Sequence, residues 1–148
     1  MTKIERLAIE GHGAIQVDES PDVVPPIVFL GGPIKFWWGD GQWGTPKHNE
    51  YITWRSAVEA AVVKAGCAVY CPYKAIRGRW NEKLQLINDA AIVGADVFIN
   101  LTPKDIPAAG TDGEVLLAKS VGVPVILAPP AGEWELNLLI FYLTEHYL

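Results

Sequence analysis

The sequence predicts a single α/β domain in which a central parallel sheet is flanked by helices. Four short, almost wholly apolar runs alternate with four longer segments whose apolar residues recur at helical spacing. Strands that are apolar on both faces and alternate with helices are typical of a parallel sheet, because parallel strands need crossover connections that cover it. With 148 residues, the chain has the size of one ordinary domain.

The predicted elements alternate from residue 27 to the end of the chain. The first strand leads into Gly31-Gly32-Pro33, and Thr45 followed by Pro46 is typical of a helix N-terminus. Gly66 is expected to end that helix. The predicted strands are 27–30, 68–71, 97–101 and 123–128, and the predicted helices are 46–65, about 81–94, about 111–121 and 134–147. This order predicts a flavodoxin-like or Rossmann-like sheet of four or five strands.

The first 26 residues differ in pattern from the rest of the chain. Residues 4–17 are expected to form two short strands around the turn Gly11-His12-Gly13, and prolines at 21, 25 and 26 indicate a linker. We therefore predict an N-terminal hairpin or arm (1–26) attached to the α/β domain (27–148).

Composition narrows the class of partner. The net charge is -5 and the basic residues are scattered, which argues against a nucleic-acid polymer. No apolar run approaches the roughly 20 residues that span a bilayer, and the charged N-terminus does not resemble a signal peptide, so we expect no membrane partner and a cytoplasmic location. The three histidines show no metal-ligand spacing. We predict a small-molecule substrate, no metal and no cofactor.

Three segments carry groups suited to binding or catalysis. They are Gly31-Gly32-Pro33 after the first strand, Asp89 in the second helix, and 110–114 around the start of the third helix, where Glu114 is expected in the first turn. Ligands of open parallel sheets bind beyond the carboxyl ends of the strands, where these segments should meet. Each also has a structural explanation: a tight turn, a solvated helix position, and a first-turn glutamate favoured by the helix dipole.

In this order, the segments resemble the nucleoside 2-deoxyribosyltransferase superfamily. The resemblance covers about residues 27 to 128 and consists of four parts. These are an apolar strand ending in Gly-Gly-Pro, an aspartate seven residues before an Ala-Asp-strand, Gly-Thr-x-x-Glu, and a Gly-x-Pro-Val strand.

The resemblance implies an enzyme that breaks and remakes N-glycosidic bonds of nucleosides without a cofactor. Glu114 would be the nucleophile, and Asp89 would contact the base and assist its protonation. Gly31, Gly32 and Pro33 would lie against the substrate, as would Gly110 and Thr111. Asn137 matches a family asparagine that crosses a subunit boundary. The resemblance also implies a homo-oligomer with shared active sites.

The proposed chemistry is sound for these residue types. Departure of the base gives the anomeric carbon oxocarbenium character, which a carboxylate can capture covalently. A second carboxyl group can protonate the leaving base when burial raises its pKa. A second base or water then attacks the glycosyl-enzyme. Transfer and hydrolysis use the same groups, so the residues leave the choice between them open.

Two departures from the family pattern bear on the substrate. The loop 35–44 contains three tryptophans, of which Trp37 and Trp38 are candidates for stacking on the base. A loop folded over the core, or a subunit contact, is an equal alternative. Nucleotide-hydrolysing relatives tend to carry a phosphate-holding serine six residues before the nucleophile. Ala108 stands there, which favours nucleosides over 5′-monophosphates.

Two alternatives to the transferase remain open. One is a nucleoside 5′-monophosphate hydrolase. The other is a non-catalytic nucleotide-binding or signalling module in which Glu114 is only a helix residue. Independently of function, the last helix is apolar on most sides, which predicts that a second subunit covers part of it.

Overall fold

The structure, a computed structural model, describes residues 15–16, 25–33, 41–72 and 82–148. In these ranges the chain forms one five-stranded sheet and four helices. The strands are β1 (Ile15–Gln16), β2 (Ile27–Gly31), β3 (Ala68–Tyr70), β4 (Val97–Asn100) and β5 (Val125–Leu127). The helices are α1 (Pro46–Ala65), α2 (Glu82–Gly94), α3 (Ala109–Ser120) and α4 (Glu133–Tyr147). Across the described ranges, no helix combines the length and apolarity needed to cross a membrane.

The sheet confirms the predicted fold class. Its order is β1-β3-β2-β4-β5, and the four strands from β2 to β5 are parallel. At one edge Ile15 and Gln16 of β1 pair antiparallel with Tyr70 and Val69 of β3. The remainder of the predicted N-terminal hairpin lies outside the described residues.

The strand order places a crevice beside β2. The chain passes from β2 to β3 on one side and then returns to β4 on the other side of β2. Connections that leave neighbouring strands in opposite directions open a crevice at the carboxyl ends of those strands. Gly31 at the end of β2 is paired with Asn100 at the end of β4. A ligand site is therefore expected next to these two residues.

Two helical layers cover the sheet. Helices α1 and α4 pack against Val28 and Leu30, whereas α2 and α3 pack against Ile27 and Phe29 on the opposite face. The alternation follows from the strand geometry, in which successive side chains point to opposite faces. All four of these β2 side chains are fully buried.

The predicted limits of α1 are confirmed, but the predicted start of α3 is wrong. The Thr45 hydroxyl accepts a hydrogen bond from the His48 N–H at 3.3 Å, and Gly66 adopts a left-handed φ of 111°. Helix α3 begins at Ala109 instead of Thr111, with Ala108 at the N-cap position and Thr111 buried in the first turn. Glu114 consequently lies in the second turn rather than the first.

Candidate active site

The Glu114 carboxyl group lies inside the protein. The side chain is partly buried, and its Oε2 atom is fully buried without a hydrogen-bond partner among the described residues. Asp112 is the exposed acidic residue of the first turn, where the helix dipole favours negative charge. That effect falls off beyond the first turn, so it does not account for Glu114. Because burying an unpaired carboxylate is unfavourable, its position favours a functional role.

The surroundings of Glu114 shift its ionisation towards neutral pH. Burial raises the pKa of Glu114 from 4.5 to about 7. The nearby Asp89 carboxylate acts in the same direction, whereas the Arg55 guanidinium lowers the pKa. Glu114 can therefore exchange a proton near pH 7 and, when ionised, act as a poorly solvated nucleophile.

Asp89 reaches this site from α2, which packs against α3. Its side chain is partly buried, and its Oδ1 atom accepts a hydrogen bond from Gln85 Nε2 at 2.6 Å. The structure thus brings the two predicted catalytic carboxylates close enough for their charges to interact. Two carboxyl groups in one partly buried site can divide the roles of acid and nucleophile.

Gly31 and Gly32 are required by packing at the end of β2. A Cβ atom on Gly31 would collide with the ring of Phe98. A Cβ atom on Gly32 would collide with the Tyr51 hydroxyl and lie 2.9 Å from Arg55 Nη1. Pro33, the next residue, is also buried. The pair of glycines therefore has a structural cause, and contact between their backbone and a substrate stays a prediction.

Replacing Gly32 with alanine is expected to destabilise the protein by about 1–3 kcal/mol, because the new methyl group must displace Tyr51 and Arg55. Thermal unfolding followed by circular dichroism would measure the loss. Gly110→Ala is the matched control, since a Cβ atom there has no neighbour within 4 Å and alanine favours a helix. Equal melting temperatures for Gly32→Ala and the wild type would contradict the close packing.

The other predicted substrate-binding residues are dispersed. Thr111 is buried in the first turn of α3, and Gly110 beside it is exposed. Asn137 is exposed on α4, in the layer opposite to that of Glu114. Trp37 and Trp38 lie outside the described residues. Participation of Asn137 across a subunit boundary stays a prediction.

Arg55 is a member of the site that the sequence analysis missed. It is 3% exposed and lies on α1, four residues after Tyr51 and three before Val58, both of which are in the core. This spacing places Arg55 on the apolar face of its helix. The signal available in the sequence was an arginine at a position where the helical pattern predicts an apolar core residue.

Thr102 adds a second polar group without a partner. Its N–H donates to Asn100 Oδ1 at 3.0 Å, which turns the chain at the end of β4. Its Oγ1 atom is buried and has no hydrogen-bond partner among the described residues. Buried hydroxyl groups are normally hydrogen-bonded, so Thr102 is a candidate contact for a polar ligand at this edge.

Two concave surfaces among the described residues do not include Glu114. One, of about 370 Å³, lies at the carboxyl edge of the sheet and is bordered by Lys47, Tyr51 and Lys104. The other, of about 1100 Å³, runs between β5 and α4. Among the described residues, Glu114 is the carboxylate whose buried oxygen has no hydrogen-bond partner and whose pKa is affected by a second carboxylate. We therefore centre the candidate site on Glu114 and not on the larger cleft. Residues 34–40 and 73–81 lie outside the described residues.

The described residues show no grouping of three or more His, Cys, Asp or Glu side chains that could hold a metal ion. No protein-family model matches the chain, and no curated protein matches its sequence.

Proposed function

We propose that this protein is a nucleoside 2-deoxyribosyltransferase-like enzyme, with Glu114 as the nucleophile and Asp89 as the acid. The observation that carries the proposal is the buried Oε2 atom of Glu114, which has no hydrogen-bond partner among the described residues and whose pKa is raised by burial and by the Asp89 carboxylate. The four-part resemblance of the sequence supports the choice of a nucleoside N-glycosidic bond. The substrates would be nucleosides and free bases.

The proposed reaction has two steps. In the first, a Glu114 carboxylate oxygen bonds to the anomeric carbon while the bond to the base breaks, and Asp89 gives a proton to the departing base. In the second, a nitrogen of the acceptor base attacks the same carbon, Glu114 leaves, and the proton of that nitrogen returns to Asp89. Two displacements retain the configuration at the anomeric carbon. Water in place of the second base gives hydrolysis.

A panel of deoxynucleosides and free bases, with products separated by chromatography, tests the proposal. The wild type is expected to form exchanged nucleosides, and Glu114→Ala is expected to form none. Intact-protein mass spectrometry during turnover should detect one deoxyribosyl group on the wild type. Absence of both exchange and hydrolysis across the panel would reject the enzyme in favour of a nucleotide-binding or signalling module.

A nucleoside 5′-monophosphate hydrolase is the second candidate. Lys47 and Lys104 border the smaller cleft at the carboxyl edge of the sheet, and such cations suit a phosphate group. Lys47 also forms an ion pair with Asp105 at 2.6 Å, which offsets part of this charge. Because Ala108 at the N-cap of α3 offers no hydroxyl, we favour nucleosides. Comparing kcat/KM for deoxynucleosides and their 5′-monophosphates decides between the two.

We further propose a homo-oligomer assembled through the outer face of α4. Leu139 and Leu143 bury one face of this helix in the core, whereas Trp134 and Phe141 on the outer face are 68% and 65% exposed. Large exposed apolar patches commonly mark interaction surfaces. Such an interface would also cover Asn137 or bring it towards the candidate active site of the neighbouring subunit.

Light scattering after size exclusion is expected to give a dimer or a larger assembly at micromolar concentration. Phe141→Glu is expected to give monomers, because a charge would have to be buried in the interface. Leu116→Glu is the matched control, since Leu116 is 69% exposed but lies on α3 in the other layer. A monomeric wild type would contradict the interface.

A further inference from the structure

Gln85 and Asp89 form a side-chain pair on α2, one turn apart and therefore on the same face of the helix. Gln85 Nε2 donates a hydrogen bond to Asp89 Oδ1 at 2.6 Å. Both side chains are partly exposed. A ligand that contacts the Asp89 carboxyl group is therefore within reach of the Gln85 amide.

A second hydrogen bond places this part of α2 at the carboxyl edge of the sheet. The Tyr70 hydroxyl donates to Asn88 Oδ1 at 3.0 Å, and Tyr70 is the last residue of β3. Asn88, which directly precedes Asp89, is 3% exposed, so its own amide is enclosed in the core. The bond to Tyr70 holds Gln85 and Asp89 near the strand ends, where ligands of open parallel sheets bind.

The bond to Asp89 determines which atom of the Gln85 amide is left for a ligand. An ionised carboxylate only accepts hydrogen bonds, so the amide nitrogen must face Asp89 Oδ1. A carboxyl group that carries a proton on Oδ2 accepts at Oδ1 in the same way. In both cases the carbonyl oxygen of Gln85, Oε1, remains as an acceptor. Turning the amide over would break the bond and bring two oxygen atoms together.

Nucleobases differ in the group that such an acceptor would meet. Adenine and cytosine carry an exocyclic amino group, which donates hydrogen bonds, whereas hypoxanthine and uracil carry an oxo group in its place, which accepts them. An oxo group would face Gln85 Oε1 as one acceptor against another. If it approached the second hydrogen of Nε2 instead, it would meet Asp89 Oδ1, which is also an acceptor. The Gln85–Asp89 pair therefore favours amino bases.

We propose that Gln85 is a specificity-determining residue, whose amide oxygen accepts a hydrogen bond from the exocyclic amino group of adenine or cytosine while its nitrogen holds Asp89. The inference rests on the proposed function for the contact between Asp89 and the base. It extends that function by naming the class of base that the site selects.

Pairs of deoxynucleosides that differ only in this group test the proposal. For the wild type, kcat/KM is expected to be about tenfold or more higher for deoxyadenosine than for deoxyinosine, and for deoxycytidine than for deoxyuridine. Gln85→Met should abolish this preference because it removes the acceptor. Gln85→Lys should abolish it as well, although its ammonium group can still donate to Asp89. Gln85→Glu is the matched control, which keeps an acceptor of the same shape and should keep the preference.

Equal kcat/KM values within both pairs for the wild type, or a preference that Gln85→Met leaves unchanged, would overturn the inference. Calorimetric titration with free adenine and free hypoxanthine gives a readout that needs no turnover. The wild type should bind adenine about tenfold more tightly, and Gln85→Met should bind the two bases alike. This result together with no turnover of any nucleoside would reject the proposed function and leave the base preference intact. Where no nucleoside is turned over, equal binding or no binding of the two bases would overturn both.

Discussion

Replacing Glu114 with glutamine is expected to stabilise this protein by about 3 kcal/mol at pH 8 and to remove the proposed transferase activity. This gain in stability follows from the rise in the Glu114 pKa from 4.5 to about 7, at about 1.4 kcal/mol for each pKa unit. Glutamine has nearly the same shape but no charge to bury. For a chain of this length, the melting temperature should rise by roughly 6–12 °C.

The gain should depend on pH in a defined direction. Below pH 4.5 the Glu114 carboxyl group is protonated in both the folded and the unfolded chain. Between pH 4.5 and about 7 the folded protein keeps a proton that the unfolded chain releases, so the free energy of unfolding falls as the pH rises. The difference in the free energy of unfolding between Glu114→Gln and the wild type should therefore grow between pH 4.5 and about 7 and stay constant above that range.

Asp112→Asn on the same helix provides the matched control. Asp112 is exposed in the first turn of α3, where its charge favours the helix by about 0.3–1 kcal/mol. Its replacement should slightly destabilise the protein at pH 8, opposite in sign to Glu114→Gln. A destabilised Glu114→Gln at pH 8 would show that the carboxylate serves the fold, and would weigh against its role as a nucleophile.

Replacing Asp89 with asparagine is expected to lower kcat by about 10²–10⁴-fold for ordinary nucleosides, because the departing base loses its proton donor. The loss should nearly vanish for a nucleoside of an N7-alkylated purine. That base already carries a positive charge and leaves without protonation. Comparing kcat for the two substrates in wild type and Asp89→Asn measures the effect, with Asp112→Asn as the control for an exposed carboxylate.

The alkylated substrate also reveals the coupling between the two carboxyl groups. In wild type, kcat/KM should rise with pH through about 7, because the nucleophile must be ionised. Removing the Asp89 charge should lower the pKa of Glu114 and shift this rise to lower pH. Equal losses for both substrates, with an unshifted profile, would contradict the role of Asp89 as the acid.

Local signals in the sequence account for much of the fold. The limits of α1 were predictable from Thr45, Pro46 and Gly66. Each of these residues favours a helix end through its own side chain or backbone conformation, without help from distant parts of the chain. The predicted start of α3 was wrong because Thr111 has the chemistry of a cap but lies buried within the first turn, while Ala108 is at the N-cap without a side-chain hydrogen bond. Burial depends on tertiary packing, which a local sequence pattern does not show.

The site was only partly predictable. The order of the strands indicated where Glu114 and Asp89 should meet, because carboxyl ends of parallel strands share one edge. The shared environment of these carboxyl groups, and the charge of Arg55 within it, depend on how three helices pack. Gly31 and Gly32 were interpreted as substrate contacts, yet each also has a packing neighbour that only the folded chain displays.

The register of β2 is determined in part at the amino-terminal end of the strand, which is the end far from the candidate site. Asp96 Oδ2 accepts a hydrogen bond from the Ile27 N–H at 2.7 Å, where β2 begins. A slip of one residue would reverse the faces of the whole strand and replace Gly32 beside Arg55 with a different neighbour. A side chain roughly 15 Å away along the strand thus helps to decide which residue meets the guanidinium, so a substitution at Asp96 should also disturb the packing of Gly32 against Arg55.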